Sequence, residues 1–327
     1  MSTTMQAATA RRYGGPEVMA IETVARPEPG PGQLLIRVAA FGVTRGDARI
    51  RAVDVPRGMG LMVRAVFGLT RPRRPIPGRE FAGEVAAVGE GRAGWSLGMP
   101  VMGITDGMTL GAGAEFCVVS AAGMVRPIPP GLDVTHAAGC LFGLIAAADF
   151  LIDQMALQKG ERLLVNGGSG AVGAAAVWLG VHLGARVTAT ASAANHEFLC
   201  SLGAAATNDY RDGLPQGPFD AILDVPGTLP YARARPLLTP EGRLGLMTAD
   251  LLPQLGAAIR PRRGGHRLSC GIVKEKPEAL DRALSYLEAG YRPKITILPL
   301  SEIVEAHRLA SSGHKRGNVV VTLEDAG

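Results

Sequence analysis

Apolar positions change their period once along the chain, near residue 131. Before that point, short alternating runs stand between glycines and prolines: LLIRVAAFGV (34–43), FAGEVAAVG (81–89), PVMGI (100–104) and AEFCVVS (114–120). Alternation with such punctuation predicts strands and turns, so residues 5–125 read as a β-rich region with few helical patterns. Beyond it, HAAGCLFGLIAAADFLI (136–152) is apolar at helical spacing. Then RLLVNGG, AVGAAAVWLGVHLG, RVTATA, HEFLCSLGA, FDAILDV and RLGLM alternate strand with helix. That order predicts an α/β fold with a parallel sheet covered by helices. A helix is expected over 277–289 behind a proline, another in SEIVEAHRLASSG behind a Ser–Glu start, and a closing strand in NVVVTL.

Composition narrows the class. The chain has 327 residues, 47% apolar and 19% charged, enough for two packed domains and too apolar for disorder. The net charge of +5 rests on arginine, since only five lysines occur. No aromatics are interleaved with basic residues as in a nucleic-acid binder. No apolar run reaches bilayer length, and MSTTMQAATARRY lacks the order of a secretory signal, so no membrane span and a cytoplasmic location are expected. Cysteines 117, 140, 200 and 270 stand far apart, as reduced thiols do. No HExxH, HxH or Cys/His cluster offers a zinc ligand set, so no metal is expected.

The chemistry enters at Gly168-Ser169-Gly170-Ala171-Val172-Gly173, between a strand at 162–166 and a helix at 171–183. Glycines there let the backbone approach a pyrophosphate, and the helix start directs its free N–H groups at it. In that βαβ setting the six residues are expected to bind a dinucleotide. The next strand ends Thr190-Ala191-Ser192, and the first acid after it is Glu197. An NAD site would usually place Asp or Glu there to hold the ribose hydroxyl; without one, NADPH is favoured. Ser192 and Asn195 can donate to its 2′-phosphate and His196 can do so in part as a cation, or His196 is simply an exposed helix residue. Tyr210 can pack on the adenine with Arg211 nearby, and Asn318, heading the closing strand, completes the cofactor-binding set.

ARRYGGPEVM, PGREFAGEVAAVG, NGGSGAVGAAA and a final helix and strand, in that order, resemble the medium-chain dehydrogenase/reductases in their zinc-independent quinone oxidoreductase branch. The resemblance spans essentially the whole chain. It implies a GroES-like catalytic domain over 1–125, a doubly wound Rossmann cofactor domain over 126–294, and a return to the catalytic domain over 295–327. It also implies a homodimer or homotetramer that uses NADPH to reduce a quinone, enone or aldehyde in the cleft. Zinc-containing relatives carry Gly-His-Glu where this chain has Gly78-Arg79-Glu80, and a cysteine where Thr44 and Arg45 stand. IPGREFAGEV therefore reads as a turn into a strand, with Arg79 either paired with Glu80 or Asp47 or facing a substrate.

Hydride reaching a conjugated carbon leaves charge on the carbonyl oxygen, which hydrogen-bond donors must meet. At matching family positions the candidates are Thr44, Asp47 and Arg49, with Arg79; Asp47 reads as an orienting acceptor. Several positions depart from the family pattern: Cys140 for a proline, Ile145 for a threonine expected near the nicotinamide, and Met99 for a common aspartate. The tyrosine of enoyl-thioester reductases is absent between 45 and 80. That stretch instead holds nine arginines (45, 49, 51, 57, 64, 71, 73, 74, 79) against three acids. They are either a solvated loop or an anion-facing one suited to a carboxylate, a coenzyme A ester or a carrier protein. Three functions are thus carried forward: a quinone or enone reductase, a pathway-specific enoyl reductase for an acidic intermediate, and a non-redox NADPH-binding protein.

Overall fold

The change of period at residue 131 becomes a change of architecture. A computed structural model describes residues 2–91, 94–105, 109–259, 261–271 and 273–323. Its strands are β1 (Thr4–Ala10), β2 (Met19–Ala25), β3 (Gln33–Val43), β4 (Glu80–Val88), β5 (Pro100–Ile104), β6 (Phe116–Ser120), β7 (Val125–Pro127) and β8 (Arg162–Asn166). The remainder are β9 (Arg186–Ala191), β10 (Ala206–Asp209), β11 (Phe219–Asp224), β12 (Leu238–Leu246), β13 (Arg262–Arg263), β14 (His266–Cys270), β15 (Ile295–Pro299) and β16 (Asn318–Thr322). The chain divides into two compact units. Unit 1 holds Met1–Val55, Gly60–Phe142 and Glu275–Gly327; unit 2 holds Pro56–Met59 and Gly143–Lys274.

Unit 1 is the GroES-like part. Its main sheet runs β15-β16-β3-β4-β5-β7, with β6 also pairing β3, and is antiparallel except for the β15–β16 pair. β3 organises it because alternate residues Leu34, Ile36 and Val38 and then Phe41 and Val43 face one core. Phe41 lies opposite Phe81 of β4, both fully buried, and Val101, Val319 and Ile303 pack into the same cluster. The unit also takes in the helix Pro277–Glu288, whose Leu280, Ala283 and Leu287 are buried and whose Asp281 accepts from Arg126 Nε at 2.7 Å. Compactness thus divides the chain at 142/143 and 274/275, whereas the sequence suggests 126 and 295.

Two helices stand where the sequence reads mostly as strand and turn. Arg45–Ala52 is polar, so its apolar spacing is faint, but Thr44 and Asp47 form a capping box at its start. Gly60–Phe67 keeps Leu61 and Met62 exposed and shows no buried stripe. The expected helix over 136–152 is interrupted. Asp133 caps Val134–Ala137, a second helix runs Leu141–Ala148, and a wider π turn covers Asp149–Gln154.

Unit 2 is the Rossmann-like part, with strand order β10-β9-β8-β11-β12-β14-β13. All neighbours are parallel except the terminal β13–β14 pair. Counting its six parallel strands in chain order gives 3-2-1-4-5-6, so the order reverses at β8, the switch point beyond whose carboxyl end sheets of this kind place their ligands. Near the other ends of the strands, Glu161, Asp220, Thr239, Arg243, Arg262 and Arg267 line a polar cavity of about 360 Å³. No helix of the described residues is long and apolar enough to cross a membrane.

Candidate functional site

β8 ends at Asn166, and the glycine loop follows. Gly167 adopts φ +81°, a left-handed conformation, and a Cβ on it would lie 2.8 Å from Pro226 Cδ. A Cβ on Gly173 would sit 2.1 Å from the Gly167 carbonyl oxygen, so only glycine lets the helix Ala171–His182 lie against the loop. Gly170 is different. Its backbone is ordinary extended chain (φ −78°, ψ 176°), and a Cβ there would meet nothing within 4 Å. Nothing in the folded chain requires glycine at 170. The helix begins there without a capping side chain, which leaves the N–H groups of its first turn without a side-chain acceptor.

A buried network holds this loop. Thr190 Oγ1 donates to Asn166 Oδ1 at 2.6 Å and accepts from Gly167 N at 3.0 Å. Asn166 Nδ2 donates to Asp224 Oδ1 at 2.8 Å and to Thr228 Oγ1 at 2.9 Å. Asp224 is fully buried and also accepts from the backbone N–H of Gly227, Thr228 and Leu229. Burial raises its carboxyl pKa despite those four donors. Thr190, placed by sequence among the ligands of the cofactor, is buried with its hydroxyl spent on this brace. Its influence on a ligand runs through the loop.

At the end of β9, Ser192 Oγ accepts from Asn195 Nδ2 at 3.1 Å. His196 Nε2 is enclosed and has no hydrogen-bond partner among the described residues. Tyr210 is half exposed, 5.7 Å from the Arg211 guanidinium. Sequence reading finds no acid before Glu197, but the fold brings one from the neighbouring strand. Asp209 closes β10 and accepts from Ala193 N at 2.9 Å. Arg211 donates to both of its oxygens, Nε at 3.0 Å and Nη2 at 2.9 Å, and holds the carboxyl well below the usual range. The acid is therefore neutralised where it stands. Asn318 belongs to unit 1, buried at the head of β16, where its N–H donates to Lys294 O.

Unit 1 gathers the other named residues. Thr44 Oγ1 donates to Asp47 Oδ2 at 2.6 Å, and the Thr44 N–H donates to the same oxygen at 2.8 Å. Asp47 Oδ1 accepts from Gly78 N at 3.2 Å, across the turn that precedes β4. The Thr44 hydroxyl is thus committed to a helix cap, and Asp47 orients a turn. Arg49 is half-buried, and burial lowers its pKa. Arg79 pairs with neither Glu80 nor Asp47: its partner is Glu275, with Nη1–Oε1 at 2.8 Å and Nη2–Oε2 at 2.5 Å. Glu80 turns inward instead, where its Oε1 accepts from Phe142 N at 2.6 Å, and burial raises its pKa to about 7. Lys315 shares this field: burial pulls its pKa down to about 8, while Glu80 and Asp47 pull the other way.

The arginine-rich stretch is divided among separate tasks. Arg51 is buried and donates to Gly14 O and Ser311 Oγ, Arg64 stacks on Tyr13 at 4.9 Å, and Arg74 donates to Thr109 O. Sequence alone misses Glu275, Lys315, Asp224 and Gly167; only Asp224, at the end of a clear strand before a Pro-Gly turn, carries a readable signal. Among the described residues no group of three or more His, Cys, Asp or Glu side chains can hold a metal ion. The donor set does not suit zinc, since Arg79 is no ligand, the Thr44 hydroxyl is bonded to Asp47 and Glu80 Oε1 already accepts from Phe142 N.

Residues 30–130 match the family model of the alcohol dehydrogenase GroES-like domain, and residues 202–321 match that of the zinc-binding dehydrogenases. A quinone oxidoreductase of Sus scrofa is 26% identical over 93% of this chain and 93% of its own length. The quinone oxidoreductase of Coxiella burnetii superposes with a TM-score of 0.86 at 25% identity, covering 98% of this chain and all of that one. A mycobacterial protein complexed with NADPH superposes with a TM-score of 0.78 at 25% identity, covering 97% of this chain and 99% of that one.

Proposed function

The chain belongs to the medium-chain dehydrogenase/reductases, as a quinone-oxidoreductase-like member, and we propose that it uses NADPH to reduce a conjugated carbonyl, either a quinone or an α,β-unsaturated ketone. Gly170 carries this reading. A glycine required by neither backbone nor packing, set at an uncapped helix start beyond the carboxyl end of β8, is what a close-approaching pyrophosphate needs.

Each residue then has a task. The N–H groups of Ala171 and Val172 receive the pyrophosphate, with Ser169 and Gly170 forming the near wall. Ser192, Asn195, His196 and Arg211 meet the 2′-phosphate; Arg211 already neutralises Asp209 and keeps its own charge. Tyr210 lies against the adenine. When bound, the nicotinamide supplies the hydride, and the protein's work is positioning and charge stabilisation. In unit 1, Arg49 supplies positive charge for the developing oxyanion, while Thr44 and Asp47 hold the turn that carries Arg79. Glu80 and Lys315 titrate close to neutrality and can retain or release a proton at working pH.

The test is cofactor oxidation by the purified, chelator-treated protein with quinones, enones and enoyl thioesters, using NADPH and NADH in parallel. The expected result is turnover of an enone or quinone with a preference for NADPH of at least about tenfold, the scale of one charge-assisted hydrogen bond. Equal use of both cofactors would remove the 2′-phosphate assignment. Oxidation with no acceptor would remove the reductase reading.

A further inference from the structure

We propose that Arg79 is the anchor for a carboxylate on the substrate, and that Glu275 occupies that anchor in the ligand-free protein as an exchangeable internal carboxylate. The inference rests on the reductase reading for its substrate and on unit 1 alone for its geometry. Two carboxylate oxygens on two guanidinium nitrogens, at 2.8 and 2.5 Å, form the end-on bidentate arrangement in which arginine receives a carboxylate ligand. Both side chains keep 18% exposure, so the pair is screened from bulk water without being sealed in the core.

A finished structural ion pair would satisfy its surroundings, and this one does not. Arg79 Nε is enclosed and without a partner among the described residues, and so is the hydroxyl of Thr105, a residue only 1% exposed. The two residues are direct neighbours: Thr105 N donates to Arg79 O at 2.8 Å, and Arg79 Nη2 approaches Thr105 O at 3.4 Å. Each buried unmet donor destabilises the folded chain by the desolvation it is not repaid for. Two donors left idle beside a filled guanidinium end describe a site prepared for more acceptor oxygens than Glu275 brings. Neither Asp47, which accepts from Thr44 and Gly78, nor Glu80, which accepts from Phe142, bonds to those donors.

Glu275 is also suited to leave. It is the first residue of the segment that returns to unit 1, followed by Lys276 and the helix Pro277–Glu288, and among the described residues Arg79 alone holds its carboxylate. An incoming carboxylate would exchange one ion pair for another of the same kind. A further acceptor oxygen on the same ligand would meet the unused donors, so the net preference follows from contacts that Glu275, with both oxygens already placed, leaves unmade.

The test uses benzoate and its neutral analogue benzamide as unreactive probes, titrated calorimetrically into the full chain without added cofactor. The wild type is expected to bind benzoate weakly, because Glu275 competes. Glu275→Gln is expected to bind benzoate about tenfold more tightly with benzamide unchanged, since the competing charge is gone and the side chain keeps its size. Arg79→Met is expected to lose benzoate binding, and Arg79→Lys, which keeps the charge without the fork, to retain only part of it. Unchanged benzoate affinity in Glu275→Gln would overturn the proposal, as would an equal rise for both probes, which would report a merely opened structure. Turnover of a neutral enone by the same variants reports separately on the reductase reading, so either conclusion can fail alone.

Discussion

Gly170→Val should leave the fold intact and remove the cofactor. A Cβ at 170 meets no protein atom within 4 Å, and the backbone there is extended chain that any residue adopts. A substitution with those properties costs about 0.5 kcal/mol or less. It nevertheless fills the approach to the first turn of the helix Ala171–His182, where a pyrophosphate must accept from backbone N–H groups. Losing two such charge-assisted bonds weakens binding at least about a hundredfold. Isothermal titration with NADPH, set beside a thermal melt, checks both halves. The neighbouring Gly173→Ala is the contrast: its Cβ would be driven to 2.1 Å from the Gly167 carbonyl oxygen, so both stability and binding should fall.

Asp224→Ala should be the most destabilising single change at the site. It strips an acceptor from three backbone N–H groups and the Asn166 amide in a position with no exposure. Two buried donors, the Leu229 N–H and the Asn166 amide, and two partly buried ones lose their acceptor, which puts the loss at about 3–5 kcal/mol, read as a lower urea midpoint. Because Asn166 in turn holds Thr190, and Thr190 holds the Gly167 N–H, NADPH affinity should fall in whatever fraction remains folded. Asp224→Asn keeps the volume but turns an amide donor toward other donors, and is expected to fall between the two. A midpoint for Asp224→Ala equal to the wild type would show that the network braces nothing.

What could be read from the sequence follows the distance over which each feature is encoded. The glycine loop is local: strand, turn and helix start lie within twelve residues, and β8 and the following helix lie where the pattern puts them. Gly167 carries no signal of its own because the motif spacing counts Gly168, while the left-handed residue is the one before it. The polarity of the helix Arg45–Ala52 hides its period, and a Thr and an Asp three positions apart read equally as a capping box or as polar site residues. The helix is interrupted after residue 137 at a glycine set by a distant contact, since a Cβ on Gly139 would lie 2.5 Å from Val320 of a strand 181 positions on. Asp209 reaches the end of β9 only because β10 lies beside it. The Arg79–Glu275 pair joins residues 196 positions apart, beyond any local pattern.

The most direct measurement is the fate of the hydride itself. Wild-type protein would be given NADPH carrying deuterium at C4 of the nicotinamide, stereospecifically in each of the two positions, with an acyclic enone as acceptor. Mass and NMR spectra of the product would then be recorded. The account predicts one deuterium on the β-carbon of the saturated ketone from one labelled form and none from the other, with the α-hydrogen drawn from solvent. A product without deuterium from either form, or no product beside a protein that binds NADPH, would contradict hydride transfer to a conjugated carbonyl.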